Sequence, residues 1–267
     1  MPEFLLAPDR WPRLPAPHRT FLERALPLLR ADRRLTGLAA GGSFIPGALD
    51  EYSDLDLVVV TLPPSAAVIR SAAALAGSLG PLLAAFPGDH VGEPRLLICL
   101  YGPPLLHVDL KFVTEAELAH RVEDPVVLWD REGGVRRGLA QGAAVYPPPD
   151  VQWIEDRFWV WVHYAQGKIA RGELFEAIDM LGFVRKRVLG PLALMAAGTL
   201  PNGVRRVEEV VQGRAAGLAA TLAIHDRDSC TRALAAAIAL YRELRDAVAP
   251  RGLQRRDAAE REVTRGK

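Results

Sequence analysis

The chain has 267 residues, 49% hydrophobic and 24% charged, a composition that excludes a disordered or fibrous protein and suits one large domain or two modest ones. Lys plus Arg number 33 against 32 Asp plus Glu, so a formal charge of +1 supplies no basic field for gripping nucleic acid irrespective of its sequence. With no uncharged apolar run of about 18 residues, no membrane span is expected either. Cys99 and Cys230 stand far apart and outside any Cys-x-x-Cys pair, which argues against a cysteine zinc site and for two small buried hydrophobes in a reducing compartment. The first residues, MPEFLLAPDRWPR, carry Glu3 and Asp9 around a very short apolar run, unlike a secretory leader, so a cytoplasmic location is expected.

In chain order, a Pro-rich start leads into a helix marked by Phe21, Leu22, Ala25, Leu26, Leu28 and Leu29 and ending near Asp32. Strand signals come next at Leu35 to Ala40 and Leu55 to Thr61, then an Ala/Leu-rich helix at Pro64 to Leu83, then strands at Arg95 to Tyr101 and Leu105 to Val113. Gly102-Pro103-Pro104 separates the last two as a hairpin turn, which makes part of the sheet antiparallel. Tyr146-Pro147-Pro148-Pro149-Asp150 cannot be helix interior and marks a domain boundary, with Asp150 placed to cap the helix after it.

Beyond the prolines the pattern is helical. Trp153, Ile154, Phe158, Trp161, Ala165 and Ile169 recur at helical spacing up to Gly172, and Trp159, Trp161, His163 and Tyr164 on this helix read first as core, with one or two free to line a pocket. A second helix runs from Glu173 to Ala197 with a kink at Pro191, and Arg205 to Leu222 and Asp228 to Val248 suggest two more. Gln254 to Lys267 is charged, lacks apolar periodicity and reads as a solvated tail. The fold class is therefore α+β: an α/β domain with a mixed sheet over residues 1–146, a helical bundle over 151–250, and a charged tail over 251–267. There is no internal repeat.

The chemistry concentrates in three places. Asp54 and Asp56 sit at i and i+2 of a strand, so both carboxylates share one face while Leu55 and Leu57 point to a core. Like charges held this close call for a cation, and a hard divalent ion such as Mg²⁺ takes oxygen ligands. A bare Asp-x-Asp is a common strand start, and the pair gains weight from its neighbours. Gly41-Gly42-Ser43 comes after an apolar strand; glycines let backbone N–H groups approach a phosphate and Ser43 adds a hydroxyl, although the stretch matches neither the dinucleotide fingerprint nor the P-loop. In Leu105 to Val113, strict alternation puts His107, Asp109 and Lys111 on one face and Leu106, Val108, Leu110 and Phe112 on the other.

Gly42, Ser43, the acidic pair beginning eleven residues after that serine, and a third acid at Asp109 together resemble the nucleotidyltransferase superfamily typified by DNA polymerase β. The α/β domain with helices after it is similar to the bacterial aminoglycoside and lincosamide nucleotidyltransferases. The resemblance implies transfer of a nucleoside monophosphate, AMP from ATP, to a hydroxyl of a small molecule, with two Mg²⁺ ions. It implies that Asp54 and Asp56 hold the metals, that Gly42 and Ser43 contact the β- and γ-phosphates, and that Asp109 completes the second metal site and takes the acceptor's proton. Lys168, which shares a helix face with Arg171, is expected either to complement the helix end or to reach the triphosphate. Asp50 and Glu51 read as turn residues or as an attraction for a cationic acceptor. The expected partners are a nucleoside triphosphate and a small hydroxyl acceptor, with neither nucleic acid nor membrane. Competing readings are AMP transfer to a protein, which the long helical appendage disfavours, and a silent nucleotide-binding regulatory module, which the presence of all three acids disfavours.

Overall fold

A computed structural model describes residues 13–63 and 65–265. Most of the N-terminal stretch MPEFLLAPDRWPR and Pro64, the first residue of the expected Ala/Leu-rich helix, lie outside the described residues. The chain divides into two units, Met1–Val145 and Tyr146–Lys267, at the proline run.

The first unit is a mixed six-stranded sheet with helices packed on it. Helix α1 (Ala16–Ala31) leads into β1 (Leu35–Ala40) and β2 (Leu55–Thr61). The expected Pro64–Leu83 helix is instead two short ones, α2 (Ser65–Arg70) and α3 (Ala72–Leu79), broken at Ser71 and stopped at Gly80. Leu82 and Leu83 belong to a strand that sequence patterning did not reveal, β3 (Leu82–Gly88). Its Ala, Pro and Gly content masks it, and it lies at the sheet edge, where a Pro is tolerated. The hairpin β4 (Glu93–Tyr101) and β5 (Leu106–Thr114) comes next as expected, then β6 (Val126–Asp130) and α4 (Gly134–Ala140), both also unforeseen.

The strand order is β3-β4-β5-β2-β1-β6, and the β2–β5 pair alone is parallel among the described pairings. One sheet face carries Leu55, Leu57, Val59, Val108, Leu110 and Phe112, which bury themselves against Leu22, Leu26 and Leu29 of α1 and Leu75 and Leu79 of α3. Each such side chain contributes about 1.5–3 kcal/mol on leaving water. The other face is split. Its far half is a small core of Val60, Val113, Leu118 and Val135, and its near half, at the start of β2 and β5, carries Asp56 and Asp109. The register that buries the leucines thus sends the carboxylates to the opposite face.

The second unit is helical. Asp150 caps α5 (Val151–Arg171) by accepting from the Trp153 amide at 2.9 Å, and Gly172 ends it in the left-handed conformation at φ +78°. The next stretch is α6 (Leu174–Val184), a wide turn over Arg185–Leu189, and α7 (Gly190–Ala196). The wide turn absorbs Pro191, which has no N–H to give the preceding turn. The expected Arg205–Leu222 helix is α8 (Val207–Val210) and α9 (Gln212–Ala219), with α10 (Arg227–Val248) after them. No helix among the described residues is long and apolar enough to cross a membrane.

The charged C-terminus is not a free tail. It forms α11 (Asp257–Thr264), tied down by polar contacts that an apolar-periodicity reading overlooks. Its anchor is Glu155, fully buried on α5, which accepts from Tyr241 Oη at 2.6 Å, Trp159 Nε1 at 3.2 Å and the Arg256 amide at 2.9 Å. Buried Arg245 joins Glu155 at 3.5 Å to Glu260 of α11 at 2.9 Å. Trp159 is core, as expected, whereas Trp161 is half-buried against Phe183 and Tyr164 gives its hydroxyl to Glu176 at 2.7 Å. Glu155→Ala strands the Tyr241 hydroxyl, the Trp159 Nε1–H and the Arg256 amide together. It should destabilise the second unit by about 3 kcal/mol or more in urea unfolding and speed tryptic cleavage at Arg256, whose backbone it unties. A loss below about 1 kcal/mol would contradict the anchoring role.

Candidate active site

Asp54 ends the loop before β2 and Asp56 is the second residue of that strand, one side-chain period away. On β5, Asp109 stands in direct register with Asp56. Carboxylate oxygens of Asp54, Asp56 and Asp109 all lie within 4.8 Å of one another, each residue half-buried. The set is all-oxygen and carries three negative charges, the donor type a hard divalent cation takes. Burial pushes the Asp109 carboxyl above its ordinary range; His107 pulls it down, and the charge of Asp54 raises it further. His107, two residues earlier on the same face, places Nε2 at 2.9 Å from Asp109 Oδ1. Lys111, two residues later, is committed to Glu93 at 2.8 Å. Arg95 and Lys111 together hold the Glu93 carboxyl down at about 2.

The glycine turn lies against the same acids. Gly41 donates its amide to the Asp56 carbonyl at 2.9 Å, and Gly42, Ser43 and Phe44 make a single tight turn. Gly42 has φ +55°, and a Cβ there would stand 2.0 Å from Asp56 Oδ2. Conformation and space both demand glycine at this position. The Ser43 carbonyl closes the loop by accepting from Ala48 at 3.0 Å.

Two residues that sequence reasoning missed complete the surroundings. His18, fully buried on α1, gives Nε2–H to the Ser53 carbonyl at 2.7 Å and so fixes the residue before Asp54. Ser53 is further tied to Asp50, whose side chain accepts from the Ser53 hydroxyl at 2.8 Å and the Tyr52 amide at 3.0 Å, which makes Asp50 a turn residue. Glu123, in the loop before β6, accepts from the Gly42 amide at 2.8 Å. A lone histidine on an apolar helix face and an acid in an irregular loop carry no spacing signal; the apolar run Val126–Trp129 after Glu123 was the available clue.

No family model matches the chain, and no curated protein does. Several solved structures are similar to it, among them two nucleotidyltransferase-type proteins. One is an aminoglycoside 6-adenyltransferase from Bacillus subtilis, 15% identical, covering 91% of this chain and 94% of that one at a TM-score of 0.39. The other is a nucleotidyltransferase-like protein from Exiguobacterium sibiricum 255-15, 14% identical, covering 87% of this chain and 75% of that one at a TM-score of 0.40. The carboxylate geometry itself carries the functional reading.

Of the residues singled out in the sequence, the structure gathers Asp54, Asp56, Asp109 and the Gly42–Ser43 turn in one unit. Lys168 belongs to the second unit, where its ammonium binds Glu173 at 2.5 Å across the Gly172 turn and lies 5.1 Å from the centre of the Tyr164 ring. Cys99 and Cys230 are free and buried, and burial pushes the Cys99 thiol up to about 11, so it stays protonated.

Crowding of the acids imposes a cost on the fold. The folded-state value of Asp109 is raised above its ordinary 3.8, so ionised Asp109 opposes folding at every pH above about that value. In chelator at pH 7.5, Asp109→Asn should melt about 3 °C higher than the parent, a gain that shrinks as pH falls toward 4 and the folded chain's Asp109 takes up its proton. Mg²⁺ should raise the melting temperature of the parent and leave that of Asp109→Asn unmoved. A less stable Asp109→Asn in chelator would contradict the crowding of the acids.

Proposed function

We propose that the chain is a metal-dependent nucleotidyltransferase that moves AMP from ATP to a hydroxyl of a small molecule. The observation that carries this reading is the convergence of Asp54, Asp56 and Asp109 beside a glycine turn that leaves no room for a side chain. The three carboxylates fit Mg²⁺ in donor type and spacing, and they are the residues that would hold it. When bound, such ions neutralise the triphosphate and stabilise the attacking and leaving oxygens of an in-line displacement.

The residues divide the remaining work. Gly42 and Ser43 orient the β- and γ-phosphates through the backbone approach that glycine permits. The acceptor oxygen forms a bond to the α-phosphorus as the bond from that phosphorus to the bridging oxygen breaks, and pyrophosphate departs. Asp109 takes the acceptor's proton; burial raises its proton affinity, which suits a base, and its His107 neighbour orients it. The resemblance of the motif points to an acceptor of aminoglycoside or lincosamide type, hence to antibiotic modification, and the reading takes the setting to be the cytoplasm, where ATP and Mg²⁺ are at hand.

Pyrophosphate release from ATP, measured over a panel of hydroxylated small molecules with and without Mg²⁺, tests the proposal. Release should require both metal and acceptor. Asp54→Asn and Asp56→Asn should each lower it by about 10³-fold, equivalent to several kcal/mol of lost charge stabilisation. Metal-dependent ATP binding with no release for any acceptor would leave a regulatory module instead. Unchanged binding in both variants would refute the site.

A further inference from the structure

The glycine turn is already occupied by an anion of the protein's own. Glu123 Oε1 accepts the Gly42 N–H at 2.8 Å and stands 2.6 Å from the position a Cβ on Gly41 would take. The pairing of Val126 with Ala40, the last residue of β1, brings the loop before β6 alongside the turn. Asp56 Oδ2 crowds the same glycine, so Gly42 has a carboxylate at its N–H and another beside its Cα. The loop that carries Glu123 is pinned through its neighbours: Arg121 pairs with Asp124 at 2.6 Å, and the Arg121 carbonyl accepts from Val145 at 2.9 Å. Glu123 can therefore leave the amide by side-chain rotation alone, without unfolding the loop.

A carboxylate oxygen and a phosphate oxygen are equivalent acceptors for a backbone N–H, and both carry charge that strengthens the bond. They cannot share one N–H, and a fourth negative charge beside Asp56 repels a triphosphate. We infer that Glu123 is a built-in occupant of the phosphate position, which a nucleoside triphosphate must displace, and that it sets the affinity of the site for nucleotide. The inference rests on the reading of Gly41–Ser43 as the triphosphate turn. The charge of Glu123 keeps the turn formed without ligand and reserves it for an anion that arrives with enough metal-borne charge to replace it.

The sign of one affinity change decides the matter. Binding of a non-hydrolysable ATP analogue with Mg²⁺ is measured by calorimetry on the full chain, on Glu123→Gln, which keeps an acceptor for the Gly42 N–H but no charge, and on Glu123→Ala. Both variants should bind the triphosphate about tenfold tighter, about 1.4 kcal/mol, while affinity for adenosine stays as in the parent. Equal or weaker triphosphate binding in both variants, with the parent binding normally, overturns the inference and leaves the site reading intact; it would make Glu123 a positioning or metal-binding residue. Tighter adenosine binding in step with the triphosphate also overturns it, because the effect is then not at the phosphates. If neither parent nor variants bind the analogue with Mg²⁺, the site reading fails and takes the inference with it.

Discussion

Three like charges meet because two parallel strands are in register. Asp56 and Asp109 are partners across β2 and β5, and Asp54 sits one side-chain period upstream of Asp56. Nothing about the fold needs this arrangement; the leucines and valines on the opposite face stabilise the sheet, and the acids oppose it. Crowding of this kind persists where a bound cation supplies the missing charge, and surplus stability elsewhere offsets it in the meantime. Helix α1 serves both ends: its leucines build the core, and His18 reaches from the same buried face to the carbonyl that precedes Asp54. Core packing and site geometry are thereby coupled through one hydrogen bond.

The glycine turn adds the second constraint. Gly42 is hemmed in by Asp56 and Glu123, so the loop between β1 and β2, the second acid and the loop before β6 form one contiguous unit. A side chain at Gly42 would displace the Asp56 carboxylate and strain the backbone at once. That coupling explains how a short turn with no regular helix after it can be held to a defined shape.

Much of the site was legible in the sequence, since it depends on period-two alternation. Asp-Leu-Asp and His-Val-Asp-Leu-Lys each declare which residues share a face. The pairing of Asp56 with Asp109 was not legible, because β2 reaches β5 only after two helices and two strands, and register across such a crossover is a tertiary matter. β3 hid behind Ala, Pro and Gly at a sheet edge, and β6 behind its brevity; missing β6 concealed Glu123. The C-terminal helix escaped notice for a different reason. It docks through Glu260 and the Arg256 amide with Val263 packed on the core beside them, and one valine among alanines and charged residues gives hydrophobic periodicity little to read.

Crystals of the chain grown or soaked with Mn²⁺, with anomalous scattering recorded at the manganese edge, test the central claim most directly. The account places a Mn²⁺ peak at coordination distance from carboxylate oxygens of Asp54, Asp56 and Asp109 at once, and none at this position in crystals of Asp56→Asn. A peak bound elsewhere, or a well-ordered triad that attracts no metal at millimolar Mn²⁺, would contradict it.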